Sequence, residues 1–174
     1  DVNTLDKVNV NGENVDVTRT FKALEIAKDG SRVRIWSSTA YDINNNSKWH
    51  PNSLYNDVVK NVGYVPPFTQ LGGKNYEFSV KLLQPVWENY MRWQSKALHY
   101  MIEEKGVEVI FSHLHMIDAQ GHIFWHYAHN AVDTDHNVPE DYEKLIENCY
   151  VAADEYIGSF AELLDKDWTL MIVS

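Results

Sequence analysis

The chain has 174 residues, 44% of them apolar and 23% charged, and 15 Lys and Arg against 25 Asp and Glu leave a formal charge of −10. That is the composition of one globular domain, or of part of a larger one, and not of a disordered segment. A surface this acidic argues against a nucleic-acid-binding face, which needs clustered cations. No apolar run approaches the ~20 residues of a membrane-crossing helix. The first residues carry no signal-peptide pattern. The single cysteine, Cys149, can form neither an internal disulfide nor a thiolate zinc site of its own.

Residues 1–16, with four asparagines and an Asn11-Gly12 turn signal, read as an arm or short edge strand. Residues 17–40 read as a β-hairpin turning at Asp29-Gly30. Phe21, Ala23 and Glu25 share one face, and Val33 and Ile35 alternate with Arg34 and Trp36 on the return strand. Residues 41–52 are polar loop. Asn52 or Ser53 can then cap a short helix that buries Leu54, Val58 and Val59 and ends before Gly63 and Pro66-Pro67.

A long helix is expected from about Phe78 to Glu104. Trp87, Tyr90, Met91, Leu98, Met101 and Ile102 fall at three-and-four spacing, Pro85 sits in the first turn, and Gly106 stops the helix. Trp87, Tyr90 and Trp93 read as packing of this helix. Val107–Phe111 is a short, β-branched apolar run of the kind buried on both faces of a parallel sheet. A second helix is expected over about Glu140–Leu164, with Leu145, Cys149, Ala153, Tyr156, Phe160 and Leu164 on its stripe. Thr169–Val173 is another buried-strand run. Strand, helix, strand in that order predicts one parallel βαβ unit. Residues 1–77 thus form an N-terminal region of arm, β-hairpin and short helix. Residues 78–174 form a helix, strand, motif loop, helix and strand of an α/β core, cut at the carboxyl end of a strand, where such sheets place their functional loops.

Six of the eight histidines fall between His113 and His136, directly after the first of these strands. Within the segment, Asp118-Ala119-Gln120-Gly121-His122 places a carboxylate and an imidazole four residues apart. The two can face one centre on a helical turn or across a tight loop, and both are suitable ligands for zinc, manganese or iron. His113 and His115, by period two, share a face at the strand end. They are expected to support a ligand or to serve as alternative ligands. His126, four after His122, would complete a self-contained mononuclear site. Trp125 and Tyr127 could line a pocket or belong to the core.

The run Val109–His122 resembles the D-x-x-G-H segment of the alkaline phosphatase superfamily, and most closely its type I phosphodiesterase/nucleotide pyrophosphatase branch. The order of elements from about residue 78 to 174 agrees with that family, including Thr169-Leu170-Met171-Ile172-Val173-Ser174 as its T-x-x-I-V-S strand. The resemblance implies an alkaline-phosphatase-like α/β fold and a metal-dependent phosphoric ester hydrolase acting on a phosphorylated small molecule. Asp118 and His122 would be ligands to one of two divalent ions, zinc first and manganese second, with the two-metal site completed by residues outside this chain. Such enzymes transfer a phosphoryl or nucleotidyl group through a covalent intermediate. The family's nucleophile loop has no counterpart here, Ser37-Ser38-Thr39 lacking its context, so the chain by itself is expected to be inactive. Sulfatase, phosphonate hydrolase and phosphoglycerate mutase are alternatives within the superfamily. A non-catalytic binding module and a simple metal-binding module are alternatives outside it. A truncated sheet would also expose strand edges that pair copies into an oligomer.

Overall fold

A computed structural model of the chain describes residues 2–67, 81–82, 84–128 and 141–173. The chain mixes helices with an antiparallel sheet. It divides into two compact units, Asp1–Ile110 and Phe111–Ser174.

The first unit is built on two hairpins. Strand β1 (Val2–Val10) and β2 (Glu13–Ile26) pair antiparallel from Val2↔Phe21 to Val10↔Glu13. Asn11 and Gly12 close the turn with φ of 54° and 93°. Positive φ at both turn residues is the geometry that matches the twist of a two-residue hairpin, and Asn-Gly tolerates it best. The Asn9 carboxamide also accepts the Gly12 N–H at 3.0 Å. Residues 2–21 are therefore a hairpin, and its first strand is the expected edge strand, nine residues long, and not a loose arm. Asn9, Asn11 and Asn14 lie at the turn and its flanks, and Asn3 pairs with Thr20 toward the far end of β1.

The second hairpin joins β2 to β3 (Val33–Ser37) around Asp29-Gly30. The Asp29 carboxylate accepts the N–H and hydroxyl of Ser31. A bulge between Ala23 and Glu25 shifts the register by one. Side chains alternate with period two, so one extra residue moves everything beyond it to the other face. Glu25 consequently pairs with Arg34 and bonds Arg32, and does not continue the face of Phe21 and Ala23. A short strand β4 (Tyr41–Asp42) pairs with Val17 and Thr18, the buried middle of β2.

Helix α1 (Ser53–Asn61) starts after Asn52, whose side chain makes no capping bond, and buries Tyr55 and Val58. Leu54 and Val59, expected inside, are only partly covered. Tyr55 is buried beside Val58, and its hydroxyl donates to the Ile43 carbonyl at 2.7 Å. Helix α2 (Gln84–Lys105) buries Val86, Trp87, Met91 and Ala97. It ends at Gly106, where φ is +65° and the Val107 N–H bonds back to the Met101 carbonyl. This is the six-residue return that glycine permits. Lys105 Nζ meets Asp57 at 2.6 Å and Asn61 donates to Tyr100, tying α1 to α2.

The second unit is a helix pair. Helix α3 (Met116–Ala128) packs on α4 (Asp141–Gly158) through Met116, Ala119, Phe124, Leu145, Cys149, Ala152 and Ala153. The expected helix to Leu164 ends earlier, at Gly158, and continues as a 3₁₀ turn (Ala161–Lys166). The tighter 3.0-residue period changes the phase of the stripe. Leu163 is buried in place of the expected Leu164.

The predicted parallel pair is not formed by the described residues. Val107–Phe111 and Thr169–Val173 carry no strand, and every sheet pairing among the described residues is antiparallel. Val109, Phe111, Met171 and Val173 are largely exposed. A strand is held by neighbouring backbones and a parallel one is covered on both faces. Neither condition is met at these two runs. Among the described residues no helix is long and apolar enough to cross a membrane.

Candidate metal centre

The motif around Asp118 lies on a helical turn. Met116 is fully buried and starts α3, and the Ala119 N–H bonds to the His115 carbonyl at 2.9 Å. His115 is therefore the residue just before the helix, and its carbonyl accepts a bond from the first turn. Asp118 falls in the first turn, where a negative charge faces the unsatisfied N–H groups and the positive end of the helix dipole.

One turn of helix places residues three and four apart on one face. His115, Asp118 and His122 are spaced in that way, and the contacts follow. His115 Nε2 lies 3.3 Å from Asp118 Oδ2, and His122 Nε2 lies 3.3 Å from Asp118 Oδ1. Each oxygen of one carboxylate thus faces its own imidazole. His122 is open to solvent and Asp118 is half exposed, so an ion can reach both. The His113 ring meets the His115 ring edge-on, with centroids 5.2 Å apart.

The donors suit a divalent ion. Zinc bonds of about 2.0–2.2 Å to nitrogen and oxygen give a tetrahedral ligand–ligand edge of about 3.4 Å. The 3.3 Å separation of His122 Nε2 from Asp118 Oδ1 matches that edge. The ligand atoms of His115, Asp118 and His122 do not all lie within 4.8 Å of one another. Asp118 and His122 are thus the two donors that one ion could share, and His115 Nε2 faces the far oxygen of the carboxylate. Expected as neighbours at a strand end, His113 and His115 are instead separated in role by the start of α3. The signal for His115 was present as H-x-x-D-x-x-x-H, a helical stripe that requires the helix to begin at Met116.

The opposite face of the turn is anchored. Gln120, two residues from Asp118 and two from His122, is buried, and its Oε1 lies 2.7 Å from Cys149 Sγ on α4. The same sulfur lies 2.9 Å from the Leu145 carbonyl. Cys149 is thus buried, as its place on the stripe implied, and also holds α3 by its polar atom.

The other candidates fall as follows. His126 lies on α3 with its side chain outside the described residues, as is that of Tyr127. His129 and His136 also fall outside the described residues. Trp125 is exposed. In the hydroxyl cluster, Ser38 is buried. Its Oγ accepts the Thr20 N–H at 2.9 Å and donates to the Thr39 carbonyl at 2.7 Å. That serine is committed to closing the end of β3 on β2.

No protein-family model matches the chain, and neither a curated protein nor a solved structure matches it.

Proposed function

We propose that this chain carries the Asp/His half of the metal centre of a phosphoric ester hydrolase, of the type I phosphodiesterase/nucleotide pyrophosphatase kind within the alkaline phosphatase superfamily. The observation that carries the reading is the Asp118 carboxylate, flanked at 3.3 Å by the imidazoles of His122 and His115 on one exposed helix face. Asp118 and His122 hold the ion, and His115 keeps the carboxylate turned toward it. Outer partners of this kind fix ligand orientation. The first turn of α3, where Asp118 lies, is the end of a helix that favours a negative charge. A divalent ion there supplies positive charge that polarises a phosphoryl oxygen and offsets charge developing on the attacking and leaving oxygens.

On this reading the remaining ligands and the nucleophile come from elsewhere in the protein. Val107–Phe111 and Thr169–Val173 then belong to a parallel sheet whose other strands do too. That accounts for two β-branched, apolar runs with exposed side chains. The test is hydrolysis of bis(4-nitrophenyl) phosphate. The segment 1–174 is expected to be inactive. A longer protein that includes it is expected to be active with zinc or manganese and inactive with chelator. Asp118→Ala and His122→Ala should each remove that activity. Activity that survives both substitutions refutes the reading.

A further inference from the structure

The first unit holds a cleft of about 330 Å³ between β1, β2, the loop after α1, and α2. That volume is at the lower end of the range for small-molecule sites, about 300–1,000 Å³. Its lining is unlike the rest of the molecule. In a chain with a formal charge of −10 its lining contains Arg92 and Lys96 and, among the described residues, no carboxylate. Asn89, Arg92, Trp93 and Lys96 succeed one another at helical spacing, so α2 presents an amide, two cations and an indole along one stripe. Across from them stand Tyr64 of the loop and the buried Thr18 of β2.

The indole is fixed before any ligand arrives, because Trp93 Nε1 donates to the Gly63 carbonyl at 3.0 Å. The Tyr90 ring backs it at 6.1 Å. Arg92 faces the Glu88 carboxylate at 3.7 Å along the helix. A contact that long is readily exchanged for a phosphate, which guanidinium binds through two short, charge-assisted bonds. An aromatic wall with two cations at one end is complementary to a flat ring joined to an anion.

We propose that this cleft binds a ring-bearing phosphomonoester of about the size of a nucleoside monophosphate. The phosphate sits on Arg92 and Lys96, and the ring lies against Trp93 and Tyr64. The proposal does not rest on the metal centre, whose residues belong to the second unit.

The test is calorimetric titration of the chain with AMP in low salt and EDTA, repeated with adenosine and with inorganic phosphate. The expected result is one AMP per chain, with adenosine and phosphate each at least tenfold weaker. The double variant R92Q/K96Q should bind AMP at least tenfold more weakly with an unchanged circular dichroism spectrum, since both side chains are exposed. Trp93→Leu should weaken AMP and leave phosphate as it was. Lys96→Gln tested singly gives the same readout should the double variant fold poorly. No AMP binding by the unaltered chain at millimolar concentration would overturn the proposal. So would AMP binding that R92Q/K96Q leaves intact, or phosphate binding as tight as AMP. Binding that appears only with zinc and vanishes in Asp118→Ala would also overturn it, because it would place the nucleotide at the metal motif.

Discussion

Cys149 Sγ on α4 lies 2.7 Å from Gln120 Oε1 on α3, and Gln120 is the central residue of the Asp118–His122 turn. On an α-helix, positions two apart point to nearly opposite sides. The turn that offers Asp118 and His122 outward is therefore the turn whose other side is bound into the helix pair. Its Nε2 has no hydrogen-bond partner among the described residues, so the carboxamide depends on its Oε1 contact.

Cys149→Ala leaves a buried carbonyl oxygen without its sulfhydryl. Such a group costs about 1–3 kcal/mol when its partner is removed. The expected result is a loss of stability of that size in urea unfolding, together with weaker zinc binding, because the turn is no longer held from behind. Stability unchanged within ~0.5 kcal/mol would show that the contact carries nothing.

His115→Ala should lower zinc affinity about tenfold or more without abolishing binding, the usual effect of losing an outer partner to a ligand. His122→Ala should abolish it. Equal losses in a metal titration would make His115 a ligand and not a positioning residue.

Neighbouring aromatic residues on α3 should differ sharply. Phe124 is 1% exposed and Trp125 53% exposed. Phe124→Ala is expected to cost about 3–5 kcal/mol, and Trp125→Ala no more than about 0.5 kcal/mol. Thermal or urea unfolding decides this. A large effect at Trp125 would mean that its exposed face is covered in solution.

Burial pushes the Tyr156 hydroxyl above its ordinary value near 10, with the Ser112 hydroxyl at 2.6 Å drawing it part of the way back. A raised value in the folded state means that the folded chain keeps its proton where the unfolded chain has lost it. The stability is therefore present in full below about pH 10 and declines as pH rises through the folded value. Urea midpoints between pH 8 and 11 should fall more steeply for the unaltered chain than for Tyr156→Phe. Parallel curves would count against the burial of this hydroxyl.

Much of the local structure was legible in the residues. Asn11-Gly12 and Asp29-Gly30 marked both hairpin turns, and Gly63 and Gly106 marked the ends of α1 and α2, because each sits where φ is positive or follows a turn that needs it. What was not legible depended on phase. One residue inserted near Leu24 turned Glu25 away from Ala23. A 3₁₀ turn after Gly158 exchanged Leu164 for Leu163. Neither insertion has a composition signal. The runs at Val107 and Thr169 show the other limit, since apolar, β-branched sequence states a preference for strand but cannot supply the neighbouring backbone that makes one. At the candidate metal motif the spacing of Asp118 and His122 was enough to place the two side chains on one face. The part of His115 required knowing that the helix starts one residue later, and that of Gln120 required the opposite helix.

The most direct test is a calorimetric zinc titration of the chain beside the double variant D118A/H122A. The account predicts weak binding by the unaltered chain, since two protein ligands leave the other coordination positions to water, and none by the variant. Binding that the variant retains, or no binding by the unaltered chain, would contradict it. Tight one-to-one binding would contradict it as well, by showing a complete site within these residues.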